Sequence, residues 1–225
     1  MGPDSTSERS LRQLLDFPRE DMATEIKDWL DLDDAKVRAK LAKELIALAN
    51  HGGGYLLFGF SEATTGWAPS GACPHNFVRY SQDAINDIAK RHAEPVFECH
   101  VHHLDSSAGD PHVVIEVPGG HIAPIRANRS PQGSGLTDHT YYIRRPGPES
   151  APPQNGREWE ALIRRCVDND HERQVEAFRR ILAALRAEPG LAQQVAESAV
   201  GSAGLLKQWT EASLDRLRSL DDGSA

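Results

Sequence analysis

Two glutamates and a lysine in the stretch REDMATEIKDW, residues 19–29, have the types and spacing of an acidic site for phosphate chemistry. Glu20 and Glu25 lie five positions apart, and Lys27 follows Glu25 on the same face of what we expect to be a short strand. Carboxylates are preferred ligands of Mg²⁺ and Mn²⁺. Such a metal polarises a scissile phosphate and acidifies a water, while a lysine offsets the transition-state charge. The open alternative is the polar face of a surface strand.

A third carboxylate follows the next strand that the sequence predicts. Glu62 ends the segment GFSE, directly after the apolar run YLLFGF. If the two strands are neighbours in one sheet, three carboxylates converge at one end of it. The sequence therefore predicts Glu20, Glu25 and Glu62 as ligands of Mg²⁺ or Mn²⁺, with Lys27 beside them.

The elements that must position these residues have clear patterns. A capping box in SERSLRQLLDF predicts a short helix that ends at Pro18. In DDAKVRAKLAKELIALAN, apolar residues recur at helical spacing, and we expect the helix to end at Asn50. Gly52–Gly54 should then leave the helix through positive φ and enter a central strand covered on both faces.

The rest of the chain alternates between elements of both kinds. A further helix is expected at SQDAINDIAKRH, and strands at VFECHVHHL, HVVIEVP and TYYIRR. PGPESAPPQNG is typical of a linker, and the segments beyond it are amphipathic: REWEALIRRCV, HERQVEAFRRILAALRAE and GLLKQWTEASLDRLRSL. The order predicts an α+β domain over residues 1–167 and a helical C-terminal extension over residues 168–225.

Composition excludes several classes of protein. Hydrophobic residues make up 39% and charged residues 26% of the 225 positions, as in a globular protein. No apolar run approaches the roughly 20 residues that a membrane span needs, and no secretory signal precedes the first helix. The three cysteines form no C-x-x-C pair, which favours the reducing cytoplasm.

Two cofactor classes are also disfavoured. The glycines of HGGGYLLFG precede their strand and lack the G-K-[ST] of a phosphate loop, so no nucleotide is expected. In ECHVHHLD, alternation along a strand places His100 and His102 on one face and Cys99 and His103 on the other. These four side chains cannot surround one tetrahedral ion, so no zinc is expected.

A basic segment lies within an acidic chain. The formal net charge is −8, yet residues 121–167 carry seven Lys or Arg against four Asp or Glu. Arginines and tyrosines grip phosphates and stack on unpaired bases. We predict nucleic-acid contacts for a set drawn from this segment: Arg126, Arg129, Tyr142, Arg144 and Arg145. The alternative is that Tyr141 and Ile143 pack in the core while one arginine pairs with an acid.

Three motifs in order resemble the Schlafen AlbA-like domain family. They are TEIKDW, ALANHGGGYLLFGFSE and YYIRRPGPES, and the resemblance spans roughly residues 8–167. It implies an AlbA-like mixed sheet with packed helices that binds nucleic acid, RNA rather than DNA. Because AlbA-like domains tend to pair, it also implies a homodimer, for which the apolar stripe from Val175 to Leu185 and the later Leu206, Trp209, Leu217 and Leu220 are candidates.

The resemblance also implies a catalytic site. In RNA-cleaving Schlafen relatives, three acids form a metal-dependent endoribonuclease centre that cuts transfer RNA, and by position these acids correspond to Glu20, Glu25 and Glu62. Glu62 departs from the aspartate usual there. Many short bacterial members are instead regulatory or defence modules that bind nucleic acid without cleaving it. The expected function is thus a metal-dependent endoribonuclease, with a non-catalytic DNA- or RNA-binding module as the alternative.

Overall fold

A computed structural model describes residues 8–64, 66–71 and 74–187. The helices are α1 Glu8–Asp16, α2 Ala35–His51, α3 Gln82–His92 and α4 Gly156–Ala187, with a 3₁₀ helix at Pro74–Tyr80. The strands are β1 Thr24–Lys27, β2 Gly54–Phe58, β3 Phe60–Ala63, β4 Gly66–Pro69, β5 Ala93–Glu94, β6 His100–Asp105, β7 Pro111–Val117, β8 Arg126–Ala127, β9 Ile143–Arg145 and β10 Glu149–Ala151. The predicted α+β class is confirmed. None of the helices in these ranges combines the length and the hydropathy that a bilayer span requires.

The main sheet is mixed and has the strand order β1-β2-β7-β6. β1 and β2 run parallel, joined by α2, whereas β7 is antiparallel to both of its neighbours. Leu56 and Phe58 of β2 pack with α2 and α3 on one face, and Leu57 packs with α1 on the other. All three side chains are fully buried. The continuous apolar run of β2 therefore reflects a strand with both faces covered, as predicted.

The turn from α2 into β2 depends on glycine. Asp34 caps the start of α2 by accepting a hydrogen bond from the Lys36 N–H. At the other end Gly52, Gly53 and Gly54 have φ values of 117°, 96° and 154°. A Cβ on Gly54 would lie 2.2 Å from the carbonyl oxygen of Ala23. The expectation of positive φ is confirmed, and the helix ends at His51 rather than at Asn50.

Two segments differ from the sequence prediction. The expected linker contains β10, which pairs with β9 in an antiparallel hairpin and buries Ser150 and Ala151. Pairing and burial hold this segment in the domain despite its proline and glycine content. The two helices expected after residue 156 are the single helix α4. Their separation was wrong because nothing at residues 168–170 breaks a helix.

The chain divides into two compact units, Met1–His171 and Glu172–Ala225. The predicted domain boundary after residue 167 falls inside α4. The amphipathic segment GLLKQWTEASLDRLRSL, with Leu206, Trp209, Leu217 and Leu220, lies outside the described residues. Leu185 of the earlier apolar stripe has no described side-chain environment.

Candidate functional site

Glu25 is a buried carboxylate held between two cations. It lies on β1, is 5% exposed, and faces the α2 side of the sheet. Its Oε2 accepts a hydrogen bond from Arg144 Nη1 at 2.6 Å, and its Oε1 accepts one from Lys27 Nζ. Both oxygens are therefore engaged, and the charge of this acid is compensated within the protein.

Arg144 joins β9 to this acid in the interior. Its side chain is fully closed to solvent, and Nη2 donates to the Asp21 carbonyl oxygen at 3.1 Å. Nη1 also donates to Ser150 Oγ at 3.2 Å and lies 3.6 Å from Glu44 Oε2. The Ser150 hydroxyl in turn donates to Glu44. Arg144 is thus a structural ion-pair partner. This agrees with the part of the sequence-based alternative in which one arginine pairs with an acid.

Glu20 lies beside Glu25, just before β1. Its Oε1 accepts a hydrogen bond from the Ile26 N–H at 3.2 Å. Burial raises the pKa of Glu20, and the charge of Glu25 acts in the same direction. The Ile26 N–H, Lys27 and Arg144 oppose that rise in pKa. The structure therefore brings together Glu20, Glu25 and Lys27, as the spacing indicated.

Glu62 does not form a metal-binding group with these two acids. It is an exposed residue of β3, opposite Trp67 of β4 in a short hairpin. In the described ranges, no group of three or more His, Cys, Asp or Glu side chains is placed to hold a metal ion. The Mg²⁺ or Mn²⁺ site stays a prediction, and this arrangement does not present three converging ligands for it.

Three of the other predicted nucleic-acid contacts are already paired within the protein. Tyr142 is 3% exposed, and its hydroxyl accepts from the Thr137 N–H at 2.9 Å. Arg145 is paired with Glu158 at 2.8 Å, and Arg126 with Glu94 at 2.9 Å. Arg126 keeps 37% of its side chain exposed, so it remains accessible from solvent. The segment TYYIRR thus faces the protein interior more than the sequence indicated.

Arg129 is different, because it belongs to a group of cations at the surface. It has a φ of 55°, and the preceding Asn128 N–H donates to the His92 carbonyl oxygen at 2.8 Å. This bond brings the loop after β8 to the end of α3. We define the basic surface by residues from three segments that meet there: Lys36, Arg38, Lys90, Arg91 and Arg129. No ion pair within 4.0 Å is found for any of them in the described part of the chain.

Sequence reasoning missed two residues that organise this region. Glu44 is the acid on the core-facing half of α2, next to Leu41 and Leu45, and it contacts Arg144 and Ser150. The Asn50 amide donates to the carbonyl oxygens of Ile125 and Tyr142 at 2.7 and 2.9 Å and accepts from the Ile125 N–H at 2.8 Å. In both cases the available signal was a polar residue at one end of the apolar run LIALA, residues 45–49.

One family profile matches most of the folded domain. The family described as Schlafen, AlbA_2 matches residues 20–151 of the chain. The match begins at Glu20 and ends at the last residue of β10, so it includes the acidic group, the main sheet and the β9-β10 hairpin. None of the curated proteins is significantly similar in sequence to this chain.

Two solved structures are similar to the chain. The DIP2311 protein from Corynebacterium diphtheriae is 19% identical over 62% of this chain and 26% of its own length, with a TM-score of 0.43. The N-terminal domain of a protein described as related to the ATP-dependent DNA helicase RecG, from Nitrosomonas europaea, is 20% identical. That match covers 68% of this chain and 97% of the domain, with a TM-score of 0.40. The chain thus spans about a quarter of the first protein and nearly all of the second.

Proposed function

Because the chain belongs to the Schlafen, AlbA_2 family, we propose that it is a nucleic-acid-binding protein whose basic surface contacts the phosphate backbone. The observation that carries the proposal is the group of cations at Lys36, Arg38, Lys90, Arg91 and Arg129. A net charge of −8 disfavours non-specific attraction to a polyanion. Asp87 and Glu94 also lie at this surface, but no ion pair joins them to these five cations among the described residues. The gathered cations nevertheless provide a local site at which counterions are released on binding.

RNA is the proposed partner in preference to DNA, as the resemblance implies. The test is fluorescence anisotropy with a single-stranded RNA and the DNA of the same sequence, over a range of salt concentrations. We expect affinity to fall as salt rises, and Lys90→Gln to weaken binding and lower the salt slope by about one. Arg164→Gln is the matched control, because Arg164 is exposed on α4 and paired with Glu160. Equal losses of RNA affinity in Lys90→Gln and Arg164→Gln would mean that the basic surface is not the RNA-binding interface.

A metal-dependent endoribonuclease is the second candidate. The observation that favours it is the position of Glu20 beside Glu25 and Lys27, with Glu20 partly accessible to solvent. The proposed ligands are Glu20, Glu25 and Glu62, and Glu62 would have to approach the other two acids for all three to hold one ion. A metal bound there would supply Lewis-acid activation of the phosphate. Glu25 would first have to exchange one of its cations, because both of its oxygens already accept hydrogen bonds from Arg144 and Lys27.

The test of this second candidate should avoid residues that hold the fold. Glu20→Gln and Glu62→Gln remove carboxylates while leaving the Glu25–Arg144 pair in place. Transfer RNA is incubated with Mn²⁺ or Mg²⁺ and each protein, and fragments are resolved on a denaturing gel. We expect cleavage by the wild type and at least about a tenfold loss in each variant. If the RNA stays intact in every lane although the protein binds it, the endoribonuclease candidate is rejected and only the binding function remains.

Two further properties belong to this proposal. A homodimer is supported by the exposed apolar residues Trp159, Ile163 and Val167, which repeat every four positions along α4. Light scattering measures the molecular mass of the wild type and of Ile163→Glu. A monomer mass for both proteins would contradict the homodimer. A cytoplasmic location is supported by the free thiols Cys99 and Cys166. The biological role that fits these properties is a regulatory or defence module.

A further inference from the structure

We propose that one cavity of the basic surface binds a phosphomonoester, the phosphate at the end of a nucleic-acid strand. The cavity, here called the phosphate pocket, has a volume of about 240 Å³ and is lined by Ala35, Arg38, Arg91, His92, Arg129 and Pro131. This inference rests on the proposed function, because it names the chemical group that the basic surface selects. No lining residue is acidic.

Three arginines line this one cavity. Arg38 is anchored by Nη1, which donates to the carbonyl oxygens of Leu32 and Asp33 at 2.8 and 2.9 Å. Arg91 and Arg129 are exposed and have no carboxylate partner in the described residues. Guanidinium groups recognise phosphate through paired, charge-assisted hydrogen bonds. A pocket with three of them is chemically complementary to one compact anion of high charge.

His92 forms part of the wall of the phosphate pocket. It is 3% exposed, and its ring Nδ1 is closed to solvent, so it does not face a ligand in the cavity. His92 also lines a neighbouring cavity of about 210 Å³ that includes Arg38, Arg91 and Asp87. The side chains that could donate hydrogen bonds to an anion in the phosphate pocket are therefore its arginines.

The first turn of α2 lies at the phosphate pocket. Ala35, the first residue of this 17-residue helix, lines the pocket. Asp34 already caps the helix by accepting the Lys36 N–H, so its carboxylate offsets the partial positive charge of the N-terminus. The contribution of the helix to the pocket is therefore to fix the position of Arg38 one turn after Ala35.

The arrangement favours a terminal phosphate over a diester within a strand. A diester carries one negative charge and continues in both directions, which suits cations spread along a groove. A monoester carries nearly two charges near neutral pH and three strong acceptor oxygens on one atom. The pocket of about 240 Å³ has room for the phosphate group.

The test compares strands that differ in one phosphate. A short single-stranded RNA is prepared with a 5′-phosphate, with a 3′-phosphate, or with hydroxyls at both ends, and affinities are measured by anisotropy with the full chain. We expect a phosphorylated end to bind about tenfold tighter than the hydroxyl form. The preference should disappear in Arg91→Gln and in Arg129→Asn, in which asparagine tolerates the positive φ. It should persist in Arg164→Gln.

The possible results separate this inference from the proposed function. Equal affinity for phosphorylated and hydroxyl RNA overturns the phosphate pocket and leaves RNA binding intact. If no RNA binds, the full chain is titrated calorimetrically with inorganic phosphate and with a mononucleotide, to determine whether the phosphate pocket binds either ligand. Binding that is lost in both pocket variants identifies a site for a free phosphomonoester and rejects the nucleic-acid function. The absence of heat with either ligand overturns the inference.

Discussion

The Arg144 guanidinium and the Glu25 carboxylate form an ion pair with a separation of 2.6 Å, closed to solvent on both sides. The two residues are 119 positions apart in sequence, so the pair ties β1 of the main sheet to β9 of the separate hairpin. Lys27 and Glu44 add one further charge of each sign to the same cluster. The cluster is therefore electrically balanced, which is the condition under which a protein tolerates buried charges.

Breaking this pair should strongly destabilise the fold. Arg144→Ala leaves Glu25 buried with one cation removed, and a loss of about 3–5 kcal/mol in the free energy of unfolding is expected. Chemical denaturation monitored by circular dichroism measures the loss. Arg164→Ala removes an exposed ion pair and should cost no more than about 0.5 kcal/mol. A loss below about 1 kcal/mol for Arg144→Ala would mean that the pair is not structural.

The Asn50 side chain should be equally sensitive. Asn50→Ala leaves the Ile125 N–H and two carbonyl oxygens without their partner, and a loss of about 2–4 kcal/mol is expected. Asn169→Ala is the control, because that amide makes a single partly buried bond to the His121 carbonyl oxygen. Its expected cost is about 1 kcal/mol. Similar losses in the two variants would contradict a special role for Asn50.

Glu20 should make stability depend on pH in an unusual direction. Since burial raises the pKa of Glu20 above its ordinary value of 4.5, the folded state favours the protonated acid. Its contribution is complete below pH 4.5 and is lost as pH rises through the folded-state pKa. Glu20→Gln should remove that loss, so the variant should gain stability relative to the wild type as pH rises from about 4 to about 7. Parallel curves of stability against pH for the wild type and Glu20→Gln would contradict this prediction.

Asp16 provides the opposite case. Hydrogen bonds from the Ser107 hydroxyl and N–H lower the pKa of Asp16 below 3.8, so this acid stabilises the fold in its charged form. The contribution is present above pH 3.8 and is lost as pH falls through the folded-state pKa. Asp16→Asn should therefore lose stability relative to the wild type most at neutral pH. The same pH series measures both variants.

Gly54 should not accept a side chain. A Cβ there would meet the Ala23 carbonyl oxygen at 2.2 Å, on a backbone with a φ of 154°. Gly54→Ala should lower the free energy of unfolding by more than about 2 kcal/mol, or prevent folding. Gly156→Ala is the control, since nothing lies within 4 Å of the added Cβ, and it should be neutral or slightly stabilising. Comparable melting temperatures for the two variants would count against so close an approach of β2 to Ala23.

Cys99 should be inert in the folded protein. Burial raises the pKa of the Cys99 thiol to about 12, so the reactive thiolate is scarce at neutral pH. Alkylation by iodoacetamide, followed by peptide mass spectrometry, should be at least about a hundredfold slower in native than in denaturing buffer. Labelling of Cys99 at the same rate in both buffers would show that the thiol is reached without unfolding.

Local patterns predicted the elements whose burial is regular. The helical spacing of Leu41, Leu45 and Leu48 predicted α2, and the apolar run after Gly54 predicted β2. These patterns depend only on neighbouring residues, so one sequence is sufficient. β9 lies within the predicted strand TYYIRR, but its pairing with β10 could not be predicted in this way. The proline- and glycine-rich connection is typical of a linker, and the acids on β1 and α2 that receive Arg144 are distant in sequence.

The candidate site shows the same limit. The spacing of Glu20, Glu25 and Lys27 predicted that they are neighbours, because they share one short segment. The burial of Arg144 could not be predicted, since its partner is far away in sequence. Of the five residues of the basic surface, the sequence predicted only Arg129. The other four could not be predicted, because α2, α3 and the loop after β8 meet only in the folded chain.

The separation between Glu25 and Arg144 has a consequence for biosynthesis. A ribosome completes β1 and α2 well before it reaches β9, so Glu25, Glu44 and Asn50 leave the exit tunnel before their distant partners exist. Native contacts of such long range form late and slow the final collapse. The nascent chain therefore carries these polar and charged side chains without their native partners until residues 125–150 have been synthesised, an interval in which a partly folded chain is prone to aggregate.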